Sequence, residues 1–374
     1  MAKIFISMSG EGRGHATRVR ALVEALREEH RITLFAPGDA FSFLWPLYTA
    51  TEVGIQRLPG LRFAYDASGH VDYRGMLKNL CAYLKGLPST VGWLSDQIRR
   101  ERPDLVITDF EPSLPRAAKR CGVPFVSLNH QHFLRTYDLR SLPRRLRLHA
   151  AYMGTIVGAY HSGQRETIVS SFYFPPLRPN CGKVTQVGVL LRPEVAEAEP
   201  RTGAHLVAYW RRSVSEQVLQ ALASTGLDVR VYGLGACHPR GKLSFHAVSE
   251  AQFVRDLAGC CALVCTAGNQ LVGEALCLGK AVFALPEPNN YEQEINAHFL
   301  RQSGAGEAVG MSEFSPGHLH RFLSRLDEYR SRIDTQRMNG LPAALAVLRR
   351  HLPAGRTAVP AMPETLPTPE VAAA

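Results

Sequence analysis

His15 stands at the end of three alternate glycines, Ser9-Gly10-Glu11-Gly12-Arg13-Gly14-His15, just ahead of Val19, Leu22, Val23 and Leu26, which recur on one helical face. An imidazole at a helix start feels the positive end of the helix dipole, which favours the neutral ring and leaves one nitrogen free to take a proton. Alternate glycines let the backbone at Gly12 and Gly14 pass close to a ligand. Their spacing is tighter than the Gly-x-Gly-x-x-Gly of a dinucleotide fingerprint. Asp109 follows the apolar run Asp104 to Thr108. A carboxylate just past the carboxyl end of a buried strand lies on the crevice side of a doubly wound sheet, where it could orient and charge-stabilise His15. It could equally cap a helix or form a turn. Asn129-His130-Gln131-His132-Phe133 ends a further strand, and His130 and His132 are candidates for the acceptor side of the same crevice. No third ligand lies near this His-x-His, so a metal is not expected.

A second set of chemical residues runs from Val264 to Ala297. The apolar run Ala262 to Cys265 has the length of a buried strand, Thr266-Ala267-Gly268-Asn269 turns the chain, and Leu271, Val272, Ala275 and Leu276 fall at helical spacing. Such a unit aims free backbone N–H groups at one point, which suits a phosphate at Gly268 and Asn269. Glu274, about one turn on, could accept hydrogen bonds from a ribose diol. Beyond the strand Ala281 to Leu285, Glu292 and Gln293 could hold sugar hydroxyls.

These residues need strands and helices to hold them. Strands are expected at Lys3 to Met8, Arg31 to Ala36, Asp104 to Thr108, Val123 to Leu128, Ile168 to Phe172, His205 to Tyr209 and Val229 to Tyr232. Leu44 to Ala64 reads as irregular, and Met76 to Glu101 as one or two helices broken near Gly86-Leu87-Pro88. The strand–glycine-turn–helix theme occurs in both halves, which divides the chain into a domain over 1–185, a linker over 186–202 and a second domain over 203–352 with closing helices. The Pro/Ala-rich tail, 353–374, is expected to be disordered.

The Gly268 turn, Glu274, Gly279-Lys280 and the segment Glu292-Gln293-x-x-Asn296-Ala297 together resemble the donor-binding signature of GT-B glycosyltransferases. The nearest likeness is to the family of the peptidoglycan N-acetylglucosaminyltransferase (family 28) and related uncharacterised "glycosyltransferase family 1" proteins. The loop ending at His15 is similar to the GxGxGH loop of those enzymes, whose histidine is a candidate general base. The resemblance implies a GT-B α/β fold, two Rossmann-like domains facing across a cleft. It also implies an inverting, metal-independent transfer from a nucleotide-diphosphate sugar, a UDP-sugar by resemblance, to an acceptor hydroxyl on a lipid or glycan. One departure stands out: Trp210-Arg211-Arg212-Ser213 replaces a glycine-rich turn of the family, so a backbone diphosphate cradle is not expected there. A nucleotide-sugar 2-epimerase of the same fold and a non-catalytic sugar-nucleotide or lipid-binding protein remain as alternatives.

Composition agrees with a soluble globular protein: 374 residues, 45% hydrophobic and 20% charged. No apolar run nears the roughly 20 residues of a membrane span, and the N-terminal run is too short for a secretion signal. The expected location is cytoplasmic, with a possible place at the inner face of the membrane. The net charge of +10 calls for an anionic partner. Nucleic acid is not expected, since no recognised motif or aromatic-interleaved basic stripe is present. The leucine-interleaved arginines from Arg135 to Arg147 could touch an anionic membrane or form a solvated helix face. The eight cysteines show neither Cys-x-x-Cys nor zinc spacing and read as small buried apolar residues, with no disulfide and no cofactor.

Overall fold

The computed structural model describes residues 1–10, 13–61, 73–160, 162–211, 213–247 and 249–353. Gly12, Arg212 and the tail beyond Pro353 lie outside the described residues.

Short runs, apolar and buried at the sheet centres, pair side by side into two all-parallel sheets. The first holds β1 Lys3–Met8, β2 Arg31–Ala36, β3 Gly54–Arg57, β4 Leu105–Asp109, β5 Phe125–Asn129, β6 Glu166–Ser170 and β7 Val184–Val187. Their order is β3-β2-β1-β4-β5-β6-β7. The second holds β8 Leu206–Tyr209, β9 Val229–Tyr232, β10 Leu243–His246, β11 Ala262–Cys265, β12 Ala281–Ala284 and β13 Gly306–Ala308, in the order β10-β9-β8-β11-β12-β13. In both sheets the winding reverses beside the first strand, between β1 and β4 and between β8 and β11. Helices must cover both faces of a parallel sheet, which is why the inner strands carry largely apolar sequence.

Four differences from the sequence reading have physical causes. The strands not foreseen, β3, β7, β10 and β13, are the four sheet edges. Each is short and paired on one side only, so neither alternation nor a long apolar run marks it. Pro88 does not break its helix, which runs unbroken from Tyr73 to Glu101. The Thr90 hydroxyl donates to the carbonyl of Gly86 one turn earlier, at 3.2 Å. The helix Gly38–Tyr48 occupies part of the stretch expected to be irregular, with Pro46 in its last turn.

The fourth difference concerns the domain limits. The segment expected to be linker begins inside β7, and Val189, Leu190, Leu191 and Val195 beyond it are buried. The chain then returns: the last helix, Leu341–Arg349, leaves the second domain and buries Ala344, Val347 and Leu348 against Ile4, Leu22 and Val187 of the first. At the crossing, a Cβ on Gly188 would lie 2.3 Å from the Met338 carbonyl oxygen, and one on Gly340 2.0 Å from that of Gly188, so both positions require glycine. Beside this helix, buried Glu166 accepts from Arg350 at 2.9 Å and His351 at 3.0 Å.

The two domains are in direct contact. One core runs from Phe133, Tyr137, Val169 and Phe172 of the first into Val272, Ala275, Ile295 and Phe299 of the second. Tyr173 stacks on Phe299 with ring centres 4.2 Å apart.

Candidate active site at the facing switch points

Where a doubly wound sheet reverses, the loops leaving two neighbouring strands part and open a crevice at their carboxyl ends. In the first domain, the loop after β1 leads into the helix Arg13–Leu26, and β4 ends on Asp109. The sheet register sets Met8 beside Asp109, and the Ser9 amide donates to the Asp109 carbonyl at 2.9 Å. His15, near the start of the helix, thereby comes within reach: its Nδ1 is 2.9 Å from Asp109 Oδ1. The imidazole keeps 12% of its surface exposed, whereas the carboxylate keeps 1%.

A third residue joins them. Arg18 donates from Nε to Asp109 Oδ2 at 2.9 Å and from Nη2 to Oδ1 at 3.1 Å. The same Nη2 lies 3.3 Å from His15 Nδ1. Burial works to raise the Asp109 carboxyl, yet the charge of Arg18 and the hydrogen bonds from His15 and Arg18 hold it below its usual range, as a stable anion. Arg18 was not foreseen. Its signal was present: three residues past His15 and four before Leu22, it puts a charged group on the helix face that packs inward.

Phe110, next after Asp109, has φ +56°, and Ala267, in the turn after β11, has φ +61°. Both are non-glycine residues in the left-handed region, which costs on the order of 1 kcal/mol or more each. Equivalent turns of the two domains thus carry backbone strain beside the crevice.

His130 and His132 do not line an acceptor surface. His130 is buried in the domain seam, its Nδ1 3.2 Å from the Ser170 carbonyl and its Nε2 3.2 Å from Asn296 Oδ1 of the second domain. His132 lies under the loop, its Nδ1 2.9 Å from Asn129 Oδ1. Burial lowers the pKa of each to about 4; Glu292 opposes the fall at His130, and Arg18 adds to it. The polar cluster after β5 serves the seam because Asn296 comes down directly over it. Among the described residues, no three His, Cys, Asp or Glu side chains are grouped as metal ligands would be.

In the second domain, Gly268 precedes the helix Asn269–Cys277, whose first amides have no partner within the helix. A Cβ at Gly268, or at Gly14 in the first domain, would meet nothing within 4 Å, so protein packing demands neither glycine. The Asn269 side chain accepts from the Phe172 amide at 3.4 Å and donates to the Ser170 carbonyl at 3.2 Å, tying this helix start to the first domain. Glu274 is buried, and both its oxygens are engaged, one by Arg192 at 3.0 Å and the other by Gln270 at 3.1 Å. The expected open carboxylate is therefore closed by an arginine from the connecting segment. Arg192 also reaches Glu250 at 3.0 Å, and Glu250 and Glu194 both pair with Arg20 of the first domain. Gln293 holds its own loop, accepting from the Glu287 amide at 2.7 Å. Glu292 is exposed at the start of the helix Tyr291–Ser303.

The basic segment divides. Arg145 pairs with Glu294 and lies over the Tyr291 ring, while His149 stacks on that ring at 3.6 Å. Leu148 and Tyr152 of the same helix are exposed. Among the described residues, no helix is long and apolar enough to cross a membrane.

Solved structures share this architecture. MurG of Acinetobacter baumannii superposes with a TM-score of 0.60 at 14% identity, covering 94% of this chain and 100% of that one. UGT89C1 of Arabidopsis thaliana, complexed with UDP-L-rhamnose, gives 0.67 at 14% identity, covering 93% and 98%. Two doubly wound domains with their switch points face to face make this a GT-B glycosyltransferase fold. The chain belongs to Glycosyl transferase family 1, whose profile matches residues 2–327, and it is a glycosyltransferase. An uncharacterized glycosyltransferase of Methanosarcina acetivorans is 25% identical over 344 residues, 83% of this chain and 86% of that protein.

Proposed function

We propose that this glycosyltransferase is inverting and metal-independent, and moves a sugar from a nucleotide-diphosphate sugar, a UDP-sugar, to an acceptor hydroxyl on a lipid or glycan. The observation that carries this reading is the His15–Asp109 pair at one switch point, set against an unpartnered helix start at the other. The carboxylate holds Nδ1, and His15 Nε2 takes the acceptor proton. The freed oxygen pair forms the bond to the anomeric carbon, while the bond from that carbon to the diphosphate breaks and its electrons leave on the phosphate oxygen. Amides at Gly268 and Asn269 receive that charge, in place of a metal. The UDP donor is supported by the UDP-L-rhamnose complex of UGT89C1.

Glu292, exposed at its helix start, contacts the sugar. Glu274 meets the ribose only after Arg192 yields one oxygen. The protein works at the cytoplasmic face of a membrane, where Arg144, Arg147, Leu148 and Tyr152 present charge and apolar surface together.

The test is UDP release from UDP-glucose and UDP-N-acetylglucosamine, with a thermal-shift screen of both donors. A binding donor raises the melting point, and His15→Ala abolishes release but keeps the thermal shift. Full turnover by that variant overturns the assignment of the base.

A further inference from the structure

A carboxylate 2.9 Å from an imidazole does two things. It fixes the tautomer, because two lone pairs at that distance would repel, so Nδ1 carries the hydrogen and Nε2 the lone pair. A bare buried carboxylate also favours the protonated form of any imidazole beside it. The second effect harms a base, since a ring already protonated has nothing to offer an acceptor hydroxyl.

The molecule carries the counter to it. Arg18 is 3% exposed, closes both Asp109 oxygens with its fork, and sets a positive nitrogen 3.3 Å from His15 Nδ1. A guanidinium stays charged at any working pH. We infer that Arg18 is a positioning residue: it cancels the charge of Asp109 while leaving its geometry, so that Asp109 aims the His15 ring without protonating it. This rests on the reading of His15 as the base.

The remaining charged and titratable groups around the site do not substitute for Arg18. His130 and His132, after β5, are held neutral by burial. Glu274, on the facing helix, is neutralised by Arg192. Glu292, at the start of its own helix, is exposed to solvent screening. In the helix that bears His15, Arg13 is turned aside, over the Phe43 ring.

The experiment is an NMR pH titration of the full chain labelled at the histidine rings, with the His15 signal identified by its loss in His15→Gln. Arg18→Met raises the His15 midpoint by about one pH unit, as expected for an uncovered neighbouring carboxylate. Asp109→Asn lowers it, and the double variant returns it close to wild type, because the two opposite charges vanish together. An unmoved midpoint in Arg18→Met, or a double variant that stays with Asp109→Asn, overturns the inference. Should Arg18→Met fail to fold with Asp109 left unpaired, the Asp109→Asn and double variants decide the same question by their difference. The two possible failures are separable. An unmoved midpoint with an inactive His15→Ala removes the role of Arg18 alone, whereas a His15→Ala variant that releases UDP from UDP-N-acetylglucosamine at the wild-type rate removes the base itself.

Discussion

At the carboxyl ends of β1 and β4 an imidazole, a carboxylate and a guanidinium lie within 3.3 Å of one another, and the imidazole reaches the surface. At the ends of β8 and β11 the side chains are already engaged with protein. Asn269 holds the first domain and Glu274 holds Arg192; after β12, Gln293 likewise holds its own loop. What that second turn offers a ligand is backbone. On the proposed reading, the same strand–turn–helix plan gives a reactive site in one domain and a binding surface braced against its neighbour in the other. Side chains can present a proton acceptor at one chosen atom, whereas a run of amides at a helix start suits a diphosphate with no ionisable group at all.

The largest break in this contrast should come from His15→Ala. Loss of a positioned base lowers transfer by about 10² to 10⁴ fold, with UDP affinity by calorimetry unchanged. A matching loss of UDP affinity would show that the two sites are not separate. Next in size is Glu274→Ala, which leaves Arg192 buried without its main partner and should cost about 3–5 kcal/mol in urea unfolding. A cost below about 1 kcal/mol would mean that the pair is dispensable and the carboxylate free for a ligand.

Asn296→Ala should cost less, about 1–3 kcal/mol, since it leaves partners of a buried network unsatisfied. Asn296 accepts from the Tyr173 hydroxyl at 3.1 Å and donates to the Ala267 carbonyl at 2.9 Å, so the loss should loosen the domain seam before either sheet. Limited proteolysis that nicks the connecting segment first would confirm that order; simultaneous loss of both domains would contradict it.

A last test lies away from both switch points and serves as a control. Burial works to raise the Glu166 carboxyl, but hydrogen bonds from Lys183, Thr185 and His351 and the charge of Arg350 bring it down to about 2. A carboxyl lowered on folding adds stability above its unfolded value, near 4.5, and that stability drains away as pH falls toward 2. The melting-point gap between wild type and Glu166→Gln should therefore be full above about pH 5 and close toward pH 2. A gap independent of pH would rule out the charge as its source.

Much of this was legible from the chain alone. Runs such as Leu105-Val106-Ile107 and Leu263-Val264 declare buried strands because only a covered parallel sheet tolerates them, and a glycine turn before an amphipathic helix declares a crevice. His15 and Asp109 could be named because each ends such a unit. His130 and His132 looked the same and had another use, since polarity at a strand end does not say whether solvent or a second domain lies above it. Arg18 escaped because an arginine in a helix is ordinarily solvated, and only an anion 91 positions away in sequence keeps this one inside.

Local sequence settled the strand cores and set His15 and Asp109 at the ends of strand–turn units, because these depend on apolar runs and turn chemistry within a few residues. Tertiary structure alone decided the edge strands, the return of the last helix to the first domain, and which polar side chains were left for a ligand. Each of those turns on a partner far along the chain, and hydrogen bonds and charges are satisfied by whatever arrives in space, in whatever order the sequence supplies it.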